Sequence, residues 1–86
     1  MYQLYISRIA EKQIASFPKH IANNIREKID LLASEPRPFG CKKLEGSKDE
    51  YRLRTGDYRI IYRIEDNRLI VEVIRIGNRK DVYRKR

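Results

Sequence analysis

Residues 50–76 read EYRLRTGDYRIIYRIEDNRLIVEVIRI, and through most of this stretch side-chain character changes at every second position. Tyr51, Leu53 and Thr55 fall on one side of an extended chain, and Arg52 and Arg54 on the other. Thr55-Gly56-Asp57 supplies a glycine-containing turn. In the strand that follows, Tyr58, Ile60, Tyr62 and Ile64 share a face, while Arg59, Ile61 and Arg63 share the opposite one. Asp66-Asn67 makes the next turn. Leu69 to Ile76 is apolar on both faces over much of its length, the pattern of a strand in the interior of a sheet. Gly77 ends it, and a short basic tail follows.

N-terminal to this block the period changes. Tyr2, Leu4 and Ile6 alternate with Gln3 and Tyr5, a short strand. Ser7 can cap a helix in which Ile6, Ile9, Ala10, Ile14 and Phe17 recur at roughly helical spacing. Pro18 ends that helix or opens the next. The second helix carries Ile21, Ala22, Ile25, Ile29 and Leu32 on one face, and Pro36 and Pro38 stop it. Residues 36–50 have no clear period and read as a loop with a short strand around Lys43-Leu44-Glu45. The order is therefore β-α-α-β-β-β. It predicts an α+β fold, one domain over residues 1–86, with a helical hairpin packed on one face of a largely antiparallel sheet.

Packing decides which sheet face is which. The apolar sets must cover the helices, so the arginines are left on the open face. This gathers Arg52, Arg54, Arg59 and Arg63 with Arg79, which follows the last strand, and sets Tyr83 at the rim. Tyr51, Tyr58 and Tyr62 take helix-side parity and read as packing residues. Like charges on adjacent strands repel at a cost in stability. A cluster that tolerates this cost points to an anion that neutralises it. Tyr83 reads equally as a tail anchor packed on the sheet and as a phenol whose ionised form nearby guanidiniums would favour.

Charge and inventory narrow the chemistry. The 86 residues carry a net charge of +8. Residues 51–86 hold 11 Lys and Arg against 5 Asp and Glu, and residues 1–50 hold 9 against 7. The excess therefore lies with the strands and tail, where nine of the eleven cations are arginine, whose rigid fork of donors matches phosphate. The partner class this suggests is nucleic acid. A single histidine, His20, excludes a histidine-pair ribonuclease, and a single cysteine, Cys41, cannot anchor a zinc site alone. Scattered carboxylates argue against a two-metal nuclease. No Gly-rich phosphate loop is present. No metal and no cofactor is expected. No apolar run is long enough for a membrane span, and the N-terminal residues lack a signal-peptide pattern, so a cytoplasmic protein is expected.

Three blocks carry a resemblance to a known family: Lys43-Leu44-Glu45-Gly46, then Tyr51 to Tyr62 (YRLRTGDYRIIY), then Val73 to Tyr83 (VIRIGNRKDVY). Together they resemble the RelE branch of the RelE/ParE toxin superfamily, the toxins of type II toxin–antitoxin modules, over essentially the whole chain. The resemblance implies a metal-independent endoribonuclease that cuts mRNA on the ribosome by attack of a ribose 2′-OH on the adjacent phosphate. It implies catalytic roles for Arg52, Arg54, Arg59, Arg79 and Tyr83, with Arg63, Lys43, Lys80 and Arg84 as further RNA contacts. The familiar pattern has lysines where Arg52 and Arg54 stand. Arginine effectively never gives up its proton, so these two are expected to clamp phosphate rather than carry protons. A cognate antitoxin forming a hetero-oligomer is the implied protein partner, with the helical hairpin meeting it through exposed parts of Ile9, Ile14 and Ile21. Two alternatives stay open on the sequence: a ParE-like gyrase inhibitor without nuclease activity, and a non-catalytic nucleic-acid-binding module.

Overall fold

A computed structural model describes residues 1–78. The element order is β1 (Gln3–Ile6), α1 (Arg8–Ser16), α2 (Lys19–Leu31), β2 (Lys42–Lys43), β3 (Glu50–Thr55), β4 (Tyr58–Glu65) and β5 (Ile70–Asn78). The expected β-α-α-β-β-β order is present, and the short extra strand falls at Lys42–Lys43 rather than around Leu44. The five strands form one sheet in the order β1-β5-β4-β3-β2. β1 runs parallel to β5, and the other neighbours are antiparallel. The apolar strand β5 thus lies inside the sheet, as its two-sided hydrophobicity predicts.

The helices begin and end for local reasons. Ser7 accepts a hydrogen bond from the Ala10 amide at 3.0 Å, which satisfies one of the free donors at the start of α1. Phe17 is extended (φ −85°, ψ 156°), because the ring of Pro18 disfavours a helical residue before it. The carbonyl of Pro18 then accepts from the Ile21 and Ala22 amides and opens α2. Two residues thus reverse the chain into a helical hairpin. At its bend the Phe17 ring packs on Tyr58, with centroids 4.8 Å apart.

Helices and sheet share one core. Ala10, Ile14, Ile25, Ile29 and Leu32 from the helical layer meet Leu53, Ile60, Tyr62, Ile64, Val71, Val73 and Ile76 from the sheet. Burying a side chain of this size contributes about 1.5–3 kcal/mol. Tyr62 is fully buried, and its hydroxyl donates to the Pro36 carbonyl at 2.7 Å, so the polar end is satisfied. Burial pushes that phenol well above the ordinary tyrosine range. Tyr51 and Tyr58 pack against the same cluster, in accord with their parity.

Two backbone features shape the opposite face. Gly56 has φ +62° in the two-residue turn between Thr55 and Tyr58, which fits a type II′ hairpin. On β5 the register against β4 slips between Ile61 and Tyr62. Ile61 faces Arg75 and Tyr62 faces Val73, so Ile74 is an extra residue in a β-bulge. Strict alternation would have put Arg75 with Val71 and Val73 in the core. The bulge sends Ile76 inward and leaves Arg75 exposed. α1 clamps this irregular segment from both sides. The Ser7 hydroxyl donates to the Ile74 carbonyl at 2.6 Å, and the Ile76 amide donates to Gln13 Oε1 at 2.7 Å.

Candidate nucleic-acid interface

The face away from the helices can be read as rows running across the strands, since residues directly opposite in register share a face. One row is Lys42, Arg52, Ile61 and Arg75. The next, toward the β3–β4 turn, is Arg54, Arg59 and Gly77. A third, on the other side, is Glu50, Arg63, Glu72 and Tyr5. Arg54 and Arg59 stand directly opposite each other. Gly77, opposite Arg59, carries no side chain.

The structure therefore brings Arg52, Arg54 and Arg59 together on adjoining positions of two neighbouring strands. Four ion pairs occur among the described residues, and they engage Arg26, Arg37, Arg63 and Arg68. Arg52, Arg54, Arg59 and Arg75 take part in none of these. Such a patch is a preformed field for anions, with donors already fixed on strands. Arg63 differs from its neighbours: it is half-buried and paired with Glu72 directly across β4–β5. Its charge is spent within the protein, so it borders the patch rather than extending it. Arg79, Lys80, Tyr83 and Arg84 lie outside the described residues.

Register also redistributes the lysines. Lys43 pairs with Tyr51 and so takes helix-side parity, whereas Lys42 pairs with Arg52 and joins the arginine face. The sequence put Lys43 forward and passed over Lys42, because the pairing frame of a two-residue strand has no local signature. Arg75 was missed for a related reason: a bulge breaks the alternation on which the parity argument rests. Of the expected hairpin contacts, Ile9 is 62% exposed, but Ile14 is only 1% exposed and belongs to the core. Ile14 faces the sheet from α1 and has no surface to offer a partner.

A second polar cluster ties the far end of the fold together and was not anticipated. Arg37 donates to Asp66 through both terminal nitrogens, at 2.8 and 3.3 Å, and through Nε to the Tyr51 hydroxyl at 3.1 Å. The Tyr2 hydroxyl donates to Asp66 at 2.6 Å. Hydrogen bonds from Arg37 and Tyr2 hold the Asp66 carboxyl below its ordinary value, and the Tyr2 phenol is raised by the same carboxylate. These four residues come from the N-terminus, the loop after α2, β3 and the β4–β5 turn. Their arrangement is a clasp that joins these segments, with each charge answered internally. Among the described residues, no group of three or more His, Cys, Asp or Glu could hold a metal ion, and no helix is long and apolar enough to cross a membrane.

Comparison with known proteins gives this geometry a context. The family described as "ParE toxin of type II toxin-antitoxin system, parDE" matches residues 4–83. A putative RelE-like toxin protein of Escherichia coli is 31% identical, covering 95% of this chain and 90% of its own. The mRNA interferase toxin RelE of Escherichia coli strain K12 is 29% identical over the same shares. The fold also matches the crystal structure of the archaeal RelE-RelB complex from Pyrococcus horikoshii, with TM-score 0.81 and 34% identity over 91% of this chain and 94% of that one. An α+β sheet that bares arginines opposite a helical hairpin, a family match across nearly the whole chain and RelE-type relatives converge: this chain belongs to the ParE/RelE family of type II toxins, on its RelE side.

Proposed function

We propose that this chain is an endoribonuclease toxin that cuts mRNA on the ribosome and is held in check by a cognate antitoxin in the cytoplasm. The observation that carries the reading is the cluster of Arg52, Arg54 and Arg59 on the open sheet face, outside every ion pair of the described residues. Three fixed guanidiniums at adjoining positions suit a phosphodiester that gains charge as it becomes five-coordinate. In such a step the ribose 2′-oxygen bonds to the adjacent phosphorus and the 5′-oxygen leaves, giving a cyclic phosphate and a free 5′-OH. The arginines offset the added charge on the phosphoryl oxygens. Tyr83, as its phenolate, accepts the 2′-proton, the leaving 5′-oxygen takes a proton from water, and Arg79 holds the scissile phosphate or that leaving oxygen. The arginine face offers no strong base of its own, so intrinsic activity is low. An RNA-bound ribosome orients the 2′-OH, which is worth several kcal/mol of the barrier.

The RelE-type relatives, one of which is named an mRNA interferase, support this reading over gyrase inhibition. The partner follows from the solved relative in complex with RelB and from the unneutralised charge. An antitoxin segment with acidic character would cover the arginine face and order on binding. The deciding experiment expresses Arg59→Gln, Arg79→Ala and Tyr83→Phe separately without antitoxin and maps mRNA ends. The wild-type chain should yield new 5′-OH ends and arrest translation before any DNA-damage response. Each variant should lose most of that signal. Full cleavage by all three refutes the assignment, and an early DNA-damage response with intact mRNA favours gyrase instead.

A further inference from the structure

We propose that Lys42 and Arg75 extend the arginine cluster into a stripe that tracks the RNA backbone transversely across the strands, on either side of Arg52. The inference rests on the ribonuclease reading and adds to it a path for the substrate. Lys42, Arg52, Ile61 and Arg75 occupy one register row on β2, β3, β4 and β5. With strands about 4.8 Å apart, the row spans about 14 Å, more than one phosphate can occupy. Ile61 lies at its middle and is 8% exposed, an apolar floor between cationic side chains.

Three observations give the stripe its direction. The adjoining row adds Arg54 and Arg59, while the row on the other side holds Glu50 and Glu72 around Arg63. That third row is net negative and repels phosphate, so the backbone is steered along the cationic rows rather than down the strands. Arg75 is on this face only because β5 is bulged at Ile74. The backbone on both sides of Arg75 is fastened to α1, by Ser7 at the Ile74 carbonyl and by Gln13 at the Ile76 amide. Its guanidinium is therefore presented from a fixed support, which lowers the ordering cost of binding. Neither Lys42 nor Arg75 takes part in an ion pair among the described residues.

The test uses the full chain and a short fluorescent oligoribonucleotide with 2′-O-methyl groups throughout, which can bind but cannot be cut. Binding is measured as a function of salt. Each lost phosphate contact on a single strand should flatten the slope of log K against log[salt] by about 0.7, about a fivefold difference in affinity change per tenfold change in salt. Arg75→Gln and Lys42→Gln should each show this flattening, and Arg75→Lys should keep the wild-type slope. Lys28→Gln, on the exposed side of α2, should also keep it. Slopes equal to wild type in both glutamine variants overturn the stripe, as does wild-type binding that does not depend on salt. A loss confined to binding of an acidic antitoxin peptide overturns it too. These readouts are separate from cleavage, so the stripe can fail while the ribonuclease reading stands, and the reverse.

Discussion

Arg54 and Arg59 face each other directly across β3 and β4, and this pairing should make the toxin less stable than its own neutralised variant. Directly opposed like charges on neighbouring strands oppose pairing by about 0.2–1 kcal/mol. Arg54→Gln keeps most of the aliphatic stem and removes one charge of the pair. For a domain of this size, 1 kcal/mol moves Tm by about 4–8 °C, so the variant should melt about 1–8 °C higher. The gain must be electrostatic. It should be largest near 0.01 M salt, where the Debye length is about 30 Å, and should fade by about 1 M, where it is about 3 Å. Thermal unfolding by circular dichroism across that range measures it directly. Growth arrest by the same variant, expressed without antitoxin, should weaken. A lower Tm, or a gain that does not change with salt, would refute the claim that the pair is held together against its own repulsion for the sake of an anion.

Other residues make separate predictions. Tyr62→Phe should cost about 1–3 kcal/mol in urea unfolding, because the Pro36 carbonyl is left without its buried donor. Ser7→Ala should cost about 1–2 kcal/mol, since one hydroxyl both caps α1 and holds the Ile74 carbonyl; faster amide exchange at Ile76 than in wild type would report the loosened bulge. The Asp66 carboxyl sits below its ordinary value in the folded protein, so its contribution is fully present above the unfolded value near ~3.9 and is lost as pH falls through the lower folded one. Asp66→Asn should therefore lower Tm at neutral pH and above, stay close to wild type at the acid extreme, and so flatten the acid limb of a Tm-against-pH curve. A variant whose acid limb matches wild type would show that the clasp with Arg37 and Tyr2 contributes nothing.

Much of the architecture was legible because it rests on local periodicity. The alternation in Tyr51–Ile64 gave both the strands and the division between core tyrosines and surface arginines. The Phe17-Pro18 break gave the helical hairpin. What escaped was set by contacts between distant residues. Nothing near Lys42 or Lys43 says which of them registers with Arg52. The bulge that turns Arg75 outward is held by Ser7 and Gln13, more than sixty positions away in sequence. The clasp of Tyr2, Arg37, Tyr51 and Asp66 joins four segments far apart in sequence, and no local pattern pairs them. Ile14 was misplaced because a helical stripe identifies the buried face but not how far it is covered.

The composition of the arginine face constrains how the chain can act on a phosphodiester. Arg52, Arg54 and Arg59 bind and neutralise charge but cannot accept a proton. Carboxylates do share the face: Glu50 and Glu72 lie in the row of Arg63, four residues along β4 from Arg59, while Glu50 is two residues along β3 from Arg52. At about 3.3 Å per residue their row is about 13 Å along the backbone from Arg59 and about 7 Å from Arg52, while a general base must come within about 3 Å of the proton it removes. Glu72 is in addition committed to Arg63. Around Arg54 and Arg59 the described residues thus supply electrostatic stabilisation with no carboxylate beside it, which is why the proposed mechanism takes its proton acceptor from the tail. On the proposed mechanism, a sheet built in this way holds RNA and stays nearly inert until that second component arrives.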